Sequence, residues 1–122
     1  MVQGKNMPSF SVQTAARTYD AIVERGILAH ATNHLPSQSA VVITTEDVWD
    51  LHGGTLQRSI RDRVHKVLFF AGGEHNKRMS EVERLAGEMI DAGCDRSSIV
   101  IAFGGGIVND VGGFVAACFM LR

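Results

Sequence analysis

Residues 99–110 read Ile-Val-Ile-Ala-Phe-Gly-Gly-Gly-Ile-Val-Asn-Asp, an apolar run that passes through three glycines into a helical pattern. The run is short, apolar and rich in β-branched residues, which suits a strand covered on both faces of a parallel sheet. Glycines carry no Cβ, so the backbone there can bend tightly and approach a ligand closely. The helix start that follows offers unpaired N–H groups and a positive dipole end, a place for a phosphate or diphosphate. The six-residue dinucleotide fingerprint is not met, because Asn109 stands where its last glycine belongs, and a Walker A loop is absent. A plain tight turn is the competing reading of the same glycines.

Outward from this stretch, short apolar runs alternate with longer helical patterns. Tyr19–Glu24, Ala40–Thr44, Val64–Phe70 and Ser98–Phe103 read as strands by length and β-branched content. Residues 81–92 place Val82, Leu85, Ala86, Met89 and Ile90 on one helical stripe. Ser80 and Glu83 form the capping-box pattern at its start, and Gly93 stands where a helix-ending glycine belongs. Residues 46–60 are a second helix, with acids at its start, a stripe of Val48, Leu51, Leu56 and Ile60, and an interruption expected at Gly53-Gly54. Ile27 to Leu35 reads as a short helix after Gly26. This order predicts an α/β fold, a parallel sheet with right-handed crossovers and half of a doubly wound architecture.

The last helix, from Ile107 to Arg122, is unlike the others. Its polar side chains are Asn109, Asp110 and Arg122 alone. Val108, Val111, Val115 and Phe119 make one apolar face, and Ile107, Phe114, Cys118 and Leu121 make another. A helix that is apolar around most of its circumference is a buried one. The expectation is that a partner chain covers the second face or that the chain is part of something longer, the latter being favoured.

The chain has 122 residues, 45% apolar and 20% charged, with 12 basic against 13 acidic side chains. That composition excludes disorder, which needs low hydrophobicity and high net charge. A net charge of −1 gives no general field for nucleic acid or anionic lipid. Cys94 and Cys118 form no CxxC pair and read as free thiols of a reducing compartment. The amino-terminal residues lack the order of a secretory signal, and no apolar run reaches the roughly 18–20 residues of a membrane span, so a cytoplasmic location is expected. His30 and His34 share the spacing of one helical face but lack a third ligand for a metal. Arg58, Arg61, Arg63 and Lys66 read as a solvated basic cluster, and Trp49 and Cys118 as packing residues.

A second loop, Ala71-Gly72-Gly73-Glu74-His75-Asn76-Lys77, follows the third strand and should leave the same sheet edge as Gly104–Gly106. Ligands of open α/β sheets bind at that edge. Glu74 and Lys77 could reach a sugar and a phosphate there, or form a surface ion pair worth little. Asp110, in the first turn of the last helix, either stabilises the helix dipole or accepts hydrogen bonds from ribose hydroxyls or a carboxamide.

Taken together the two loops resemble a known family. Gly72-Gly73-Glu74-His75-Asn76-Lys77, Arg96 and Phe103-Gly104-Gly105-Gly106-Ile107-Val108-Asn109-Asp110-Val111-Gly112-Gly113-Phe114-Val115-Ala116-Ala117 are similar to the GGExxK and GGGxxxDxxGFxAA patterns of 3-dehydroquinate synthase, in its amino-terminal half. Tyr19 and Glu24-Arg25-Gly26-Ile27-Leu28 match that family's opening strand and turn. Thr45 stands where many members carry an Asp near the adenosine, and Asn109 replaces a usual glycine.

The resemblance implies a Rossmann-like parallel sheet with helices on both faces, half of the two-domain dehydroquinate synthase-like fold. It implies a polar extension over residues 1–18 and an NAD-binding domain over residues 19–122. NAD would be held by Gly72, Gly73, Glu74, Lys77, Gly104, Gly105, Gly106 and Asp110. Members close 3-deoxy-arabino-heptulosonate 7-phosphate to 3-dehydroquinate with loss of phosphate, in the shikimate route to aromatic amino acids. A divalent metal, usually zinc, is expected only through a carboxy-terminal helical domain absent from this chain, so no metal ligand or catalytic base is assigned here. The full-length family implies a homodimer, and the isolated chain is expected to be inactive. The alternatives are a related sugar phosphate cyclase, a metal-dependent polyol dehydrogenase, or a non-catalytic nucleotide-binding or assembly module.

Overall fold

A computed structural model describes residues 9–13, 18–35 and 39–120. Residues 1–8 of the expected extension, and Leu121 and Arg122 of the last helix, lie outside the described residues. Among the described residues there are five strands: β1 (Ser9–Gln13), β2 (Thr18–Ile22), β3 (Ala40–Thr44), β4 (Val64–Phe69) and β5 (Ile99–Phe103). Three α-helices accompany them: α1 (Glu46–Ile60), α2 (Met79–Asp91) and α3 (Gly106–Met120). A 3-10 segment over Ile27–His34 leads into β3, with a kink at His30, so His30 and His34 do not share the regular helical face their spacing suggested.

The central sheet is parallel, in the order β4-β3-β5. β3 is therefore flanked on both sides, and its five residues are all buried. Val41 and Ile43 face one core with Leu68, Leu85, Met89 and Val115, the side covered by α2 and α3. Val42 faces the other with Leu56 and Ile60 of α1, joined by Leu28, Ala31 and Leu35. The uninterrupted apolar reading of Ala40–Thr44 is the consequence, since neither face meets water. Each fully buried aliphatic side chain contributes on the order of 1.5–3 kcal/mol relative to exposure.

Four local expectations are corrected. The run at Tyr19–Glu24 does not join the parallel sheet; β2 pairs antiparallel with β1, with Val12 opposite Tyr19. Period-two patterning cannot tell which partner a strand takes, and residues 9–13 lay inside the stretch read as a polar extension. The Ser80–Glu83 capping box does not form, because α2 begins earlier, with Arg78 as its extended cap and no side-chain cap bond. α1 runs through Gly53-Gly54 without a break. A Cβ at Gly53 would overlap the indole of Trp49, one turn earlier, so this glycine makes room for the ring. Leu51, expected on the buried stripe, is 76% exposed.

The end of α2 follows the sequence reading. Gly93 takes a left-handed φ of 83°. Its N–H bonds to Ile90 O and that of Cys94 to Met89 O, both at 3.0 Å, closing the helix in a Schellman motif. α3 lays Val108, Val111, Val115 and Phe119 against the sheet and α2. It sits close over β5, where a Cβ at Gly112 would fall 2.9 Å from Ala102 Cβ. The opposite face stays open: Phe114 is 48% exposed and Cys118 is exposed.

Candidate functional site

The strand order places a topological switch point at the carboxyl ends of β3 and β5. The crossover from β3 passes over one face to β4, and the next returns over the other face to β5 on the far side of β3. Crevices of this kind receive ligands in open α/β sheets. Both glycine-bearing loops leave this rim, one after β4 and the other after β5.

The loop after β4 is built from its own backbone. Gly72 and Gly73 have φ values of 87° and 83°, a region that a Cβ disfavours. These two turns swing the chain into a single 3-10 turn over Glu74–Asn76. Asn76 N–H bonds to Gly73 O at 3.1 Å and Lys77 N–H to Glu74 O at 3.0 Å. The Asn76 side chain donates to Gly72 O at 2.7 Å and clamps the loop shut. Asn76 was quoted in the sequence pattern without a role. An amide three positions past a glycine pair is the signal that could have assigned it.

The loop after β5 is bare. Added Cβ atoms at Gly105 and Gly106 would meet nothing within 4 Å, so their backbone faces open space. Gly104 lies against Val108, where a Cβ would come within 3.1 Å. The first hydrogen bond of α3 runs from Asn109 N–H to Gly105 O at 3.0 Å. The N–H groups ahead of Asn109 point out of the helix start without intrahelical partners, as at any helix start.

Lys77 joins the two loops. Its Nζ lies 3.0 Å from Asp110 Oδ2, with 42% and 56% of the two side chains exposed. The hydrogen bond to Asp110 holds the Lys77 ammonium above its ordinary pKa, helped by the charges of Asp110 and then Glu74. The surface pair that the spacing suggested, Glu74 with Lys77, is replaced by one across the rim. A cleft of about 290 Å³ opens beside it, lined by Lys77, Arg78, Met79, Asp110 and Phe114 among others. Thr45 follows β3 at the same rim, as the residue that caps α1, and its methyl lies 3.5 Å from where a Gly72 Cβ would be. Its side chain hydrogen-bonds to Asp47 and, with the Val48 N–H, keeps that carboxyl below its ordinary pKa.

The rim thus brings together Gly72, Gly73, Glu74, Lys77, Gly104, Gly105, Gly106 and Asp110, as the sequence placed them. It combines a side-chain-free backbone, a helix start, one cation and carboxylates, a set able to take a phosphate ester and a polyol. The basic cluster lies around the end of α1, away from the rim, with Arg58, Arg61 and Lys66 exposed, Arg58 donating to Thr55 and Arg63 to Thr32. Among the described residues no three His, Cys, Asp or Glu side chains gather to hold a metal ion.

Residues 67–122, which contain both loops, match the family model for the 3-dehydroquinate synthase N-terminal region. The chain belongs to the 3-dehydroquinate synthase family, in its amino-terminal part. It is 49% identical over 116 residues to a 3-dehydroquinate synthase of Solibacter usitatus, covering 93% of this chain and 32% of that protein. A 3-dehydroquinate synthase of Koribacter versatilis is 39% identical over 116 residues, covering 89% and 32%. The chain therefore spans about a third of the length of the curated relatives it matches.

Among solved structures, 2-deoxy-scyllo-inosose synthase superposes with a TM-score of 0.79 at 25% identity, covering 94% of this chain and 33% of that one. The same enzyme complexed with carbaglucose-6-phosphate, NAD+ and Co2+ gives a TM-score of 0.80 at 22% identity, covering 92% and 32%. The fold is that of the corresponding third of 2-deoxy-scyllo-inosose synthase. No helix among the described residues is long and apolar enough to cross a membrane.

Proposed function

We propose that the rim of this chain binds NAD and that the protein to which it belongs acts as a 3-dehydroquinate synthase. The reaction is closure of 3-deoxy-arabino-heptulosonate 7-phosphate to 3-dehydroquinate with loss of phosphate. The observation that carries this is the Lys77–Asp110 contact of 3.0 Å, which joins two loops of different strands over an open glycine backbone at the switch point. The names of the sequence relatives and the NAD+ bound to the structural neighbour support the cofactor and the activity.

The residues suit NAD. The open backbone at Gly105 and Gly106 leaves space where a diphosphate can approach the start of α3. Lys77 supplies the nearby positive charge. Asp110, exposed just past the first turn of α3 and not within it as the sequence suggested, accepts hydrogen bonds from ribose hydroxyls, and Glu74 lies within the field of the same ammonium. Gly72 and Gly73 bring the Glu74–Lys77 turn to the rim. When bound, NAD supplies a reversible hydride acceptor. The divalent cation, zinc in the usual case, belongs to the carboxy-terminal part of the full-length protein, as do the groups that handle the substrate.

Trp49 is the only tryptophan and lies edge-on to Phe103, the residue before Gly104, with ring centroids 6.3 Å apart. Energy transfer from Trp49 to NADH therefore reads binding directly. The chain alone is expected to bind NADH weakly, with Lys77→Met and Asp110→Asn each lowering affinity about tenfold, the loss of one charge-assisted hydrogen bond. Absence of transfer at millimolar NADH, or variants that bind as the wild type does, would overturn the cofactor assignment. Phosphate release by the full-length protein from the heptulosonate phosphate, against a hexose 6-phosphate, tests the substrate. The chain alone should show no turnover.

A further inference from the structure

Thr44 is, among the described residues, the one polar side chain in the buried core. A buried hydroxyl is costly unless it is hydrogen-bonded, and valine would fill the same space without that cost. Its position suggests what the hydroxyl returns. Thr44 is the last residue of β3, with Phe69 of β4 opposite it on one side and Phe103 of β5 on the other. Its carbonyl accepts the Phe70 N–H at 2.8 Å, at the start of the Gly72-Gly73 loop. Its Oγ1 donates to Phe103 O at 2.6 Å, immediately before Gly104. It makes a longer contact to Thr45 O, at 3.4 Å.

We propose that Thr44 is a positioning residue that sets where both ligand-facing loops leave the sheet, its hydroxyl fixing the glycine turn. Gly105 and Gly106 have no side chains to pack, so the turn takes its position from its neighbours. Val108 holds Gly104 from the helix side. Phe103 holds it from the strand side, with its ring against Trp49 and its carbonyl on the Thr44 hydroxyl. Without the hydroxyl, the Phe103 carbonyl is free to rotate and the first turn of α3 with it. This differs from a contact with the cofactor, because Thr44 is fully buried and cannot touch a ligand.

The test compares Thr44→Val, which keeps shape and loses the hydroxyl, with Thr44→Ser, which keeps the hydroxyl. Amide exchange at Asn109 reads the first hydrogen bond of α3 without any ligand. The expected result is exchange about three- to tenfold faster in Thr44→Val, restored in Thr44→Ser, at an unchanged melting temperature. Unchanged exchange in Thr44→Val, or equal acceleration in both variants, overturns the inference. The second measurement, NADH affinity, rests on the cofactor assignment above, with a three- to tenfold loss expected in Thr44→Val alone. If the wild type binds no NADH, that assignment falls while exchange at Asn109 still decides the role of Thr44. If the wild type binds and Thr44→Val binds equally well, the positioning role falls.

Discussion

The Lys77 ammonium lies 3.0 Å from the Asp110 carboxylate, across the gap between loops that leave different strands on either side of β3. Both side chains are largely exposed, so the pair adds little to stability. Its use is geometric: it holds a cation and an anion over the bare turn at Gly104–Gly106, where a ligand carrying phosphates and hydroxyls can exchange partners with both.

Asp110→Asn should bring the Lys77 pKa back down toward the ordinary lysine value, because the hydrogen bond to Asp110 is the leading cause of its rise. The 13Cε shift of Lys77 followed by NMR between pH 8 and pH 12 checks this; an unmoved midpoint would dissociate the two residues in solution. The sign for stability follows from the raised folded-state value. The contribution of Lys77 is full below the ordinary lysine pKa and fades as pH rises through the raised one. Neutral and mildly acidic solutions should leave it unaltered.

The adjacent glycines of α1 should respond to alanine with opposite signs. At Gly54 a Cβ would meet only the flexible end of Arg58, 3.3 Å away, so Gly54→Ala should stabilise by about 0.5–1 kcal/mol through helix propensity. At Gly53 it would displace the Trp49 ring, and Gly53→Ala should destabilise by about 1–3 kcal/mol despite the same gain in propensity. Denaturant melts of the two variants compare the stabilities, and Trp49 emission should shift in Gly53→Ala alone. Two changes of equal sign would mean that the indole does not lie over Gly53.

What the sequence made legible was whatever is encoded in one run of residues. Ile99–Asp110 announces strand, turn and helix because β-branched residues, glycines and an apolar stripe follow one another without ambiguity. The loop at Gly72–Lys77 was legible for the same reason, and the switch point set both on one rim. Relationships between distant residues were hidden. β2 pairs with β1 because a strand's hydrophobic pattern does not name its neighbour. Gly53 looked like a helix break, since its partner is a ring one turn away. The Lys77–Asp110 pair could not be chosen over Glu74–Lys77 until the fold brought the helix start beside the loop. Thr44 read as one more β-branched residue at a strand end.

Arg84 should prove to be the tie between α2 and the loop after β4. Its Nη2 donates to Phe69 O at 3.0 Å, while its guanidinium pairs with Glu81 at 2.8 Å and Glu88 at 2.5 Å. The Glu81 hydrogen bond is the main cause that raises the Arg84 pKa, and the same bond lowers that of Glu81. Arg84→Ala should cost about 0.5–1.5 kcal/mol, the worth of the hydrogen bond to the end of the strand. Arg84→Lys should recover little, because one ammonium cannot serve the carbonyl and both carboxylates in a planar fork. Denaturant midpoints decide; full rescue by lysine would reduce the site to simple charge pairing.

Phe114 tests what the open face of α3 means in solution. Its ring is 48% exposed in the cleft beside Lys77 and Asp110, and Met79, 58% exposed, lines the same cleft. Cys118 continues the uncovered side one turn further along the helix. A surface helix with apolar residues on the side away from its own core presents a sticky patch to other molecules. The isolated chain should therefore self-associate as its concentration rises, and Phe114→Asp should shift sedimentation toward the monomer. Thermal stability should change little, because a half-exposed ring contributes only part of the burial energy of a core phenylalanine. A variant that sediments as the wild type does would show that association, if present, uses another surface. A large loss of melting temperature would show that the ring belongs to the core after all.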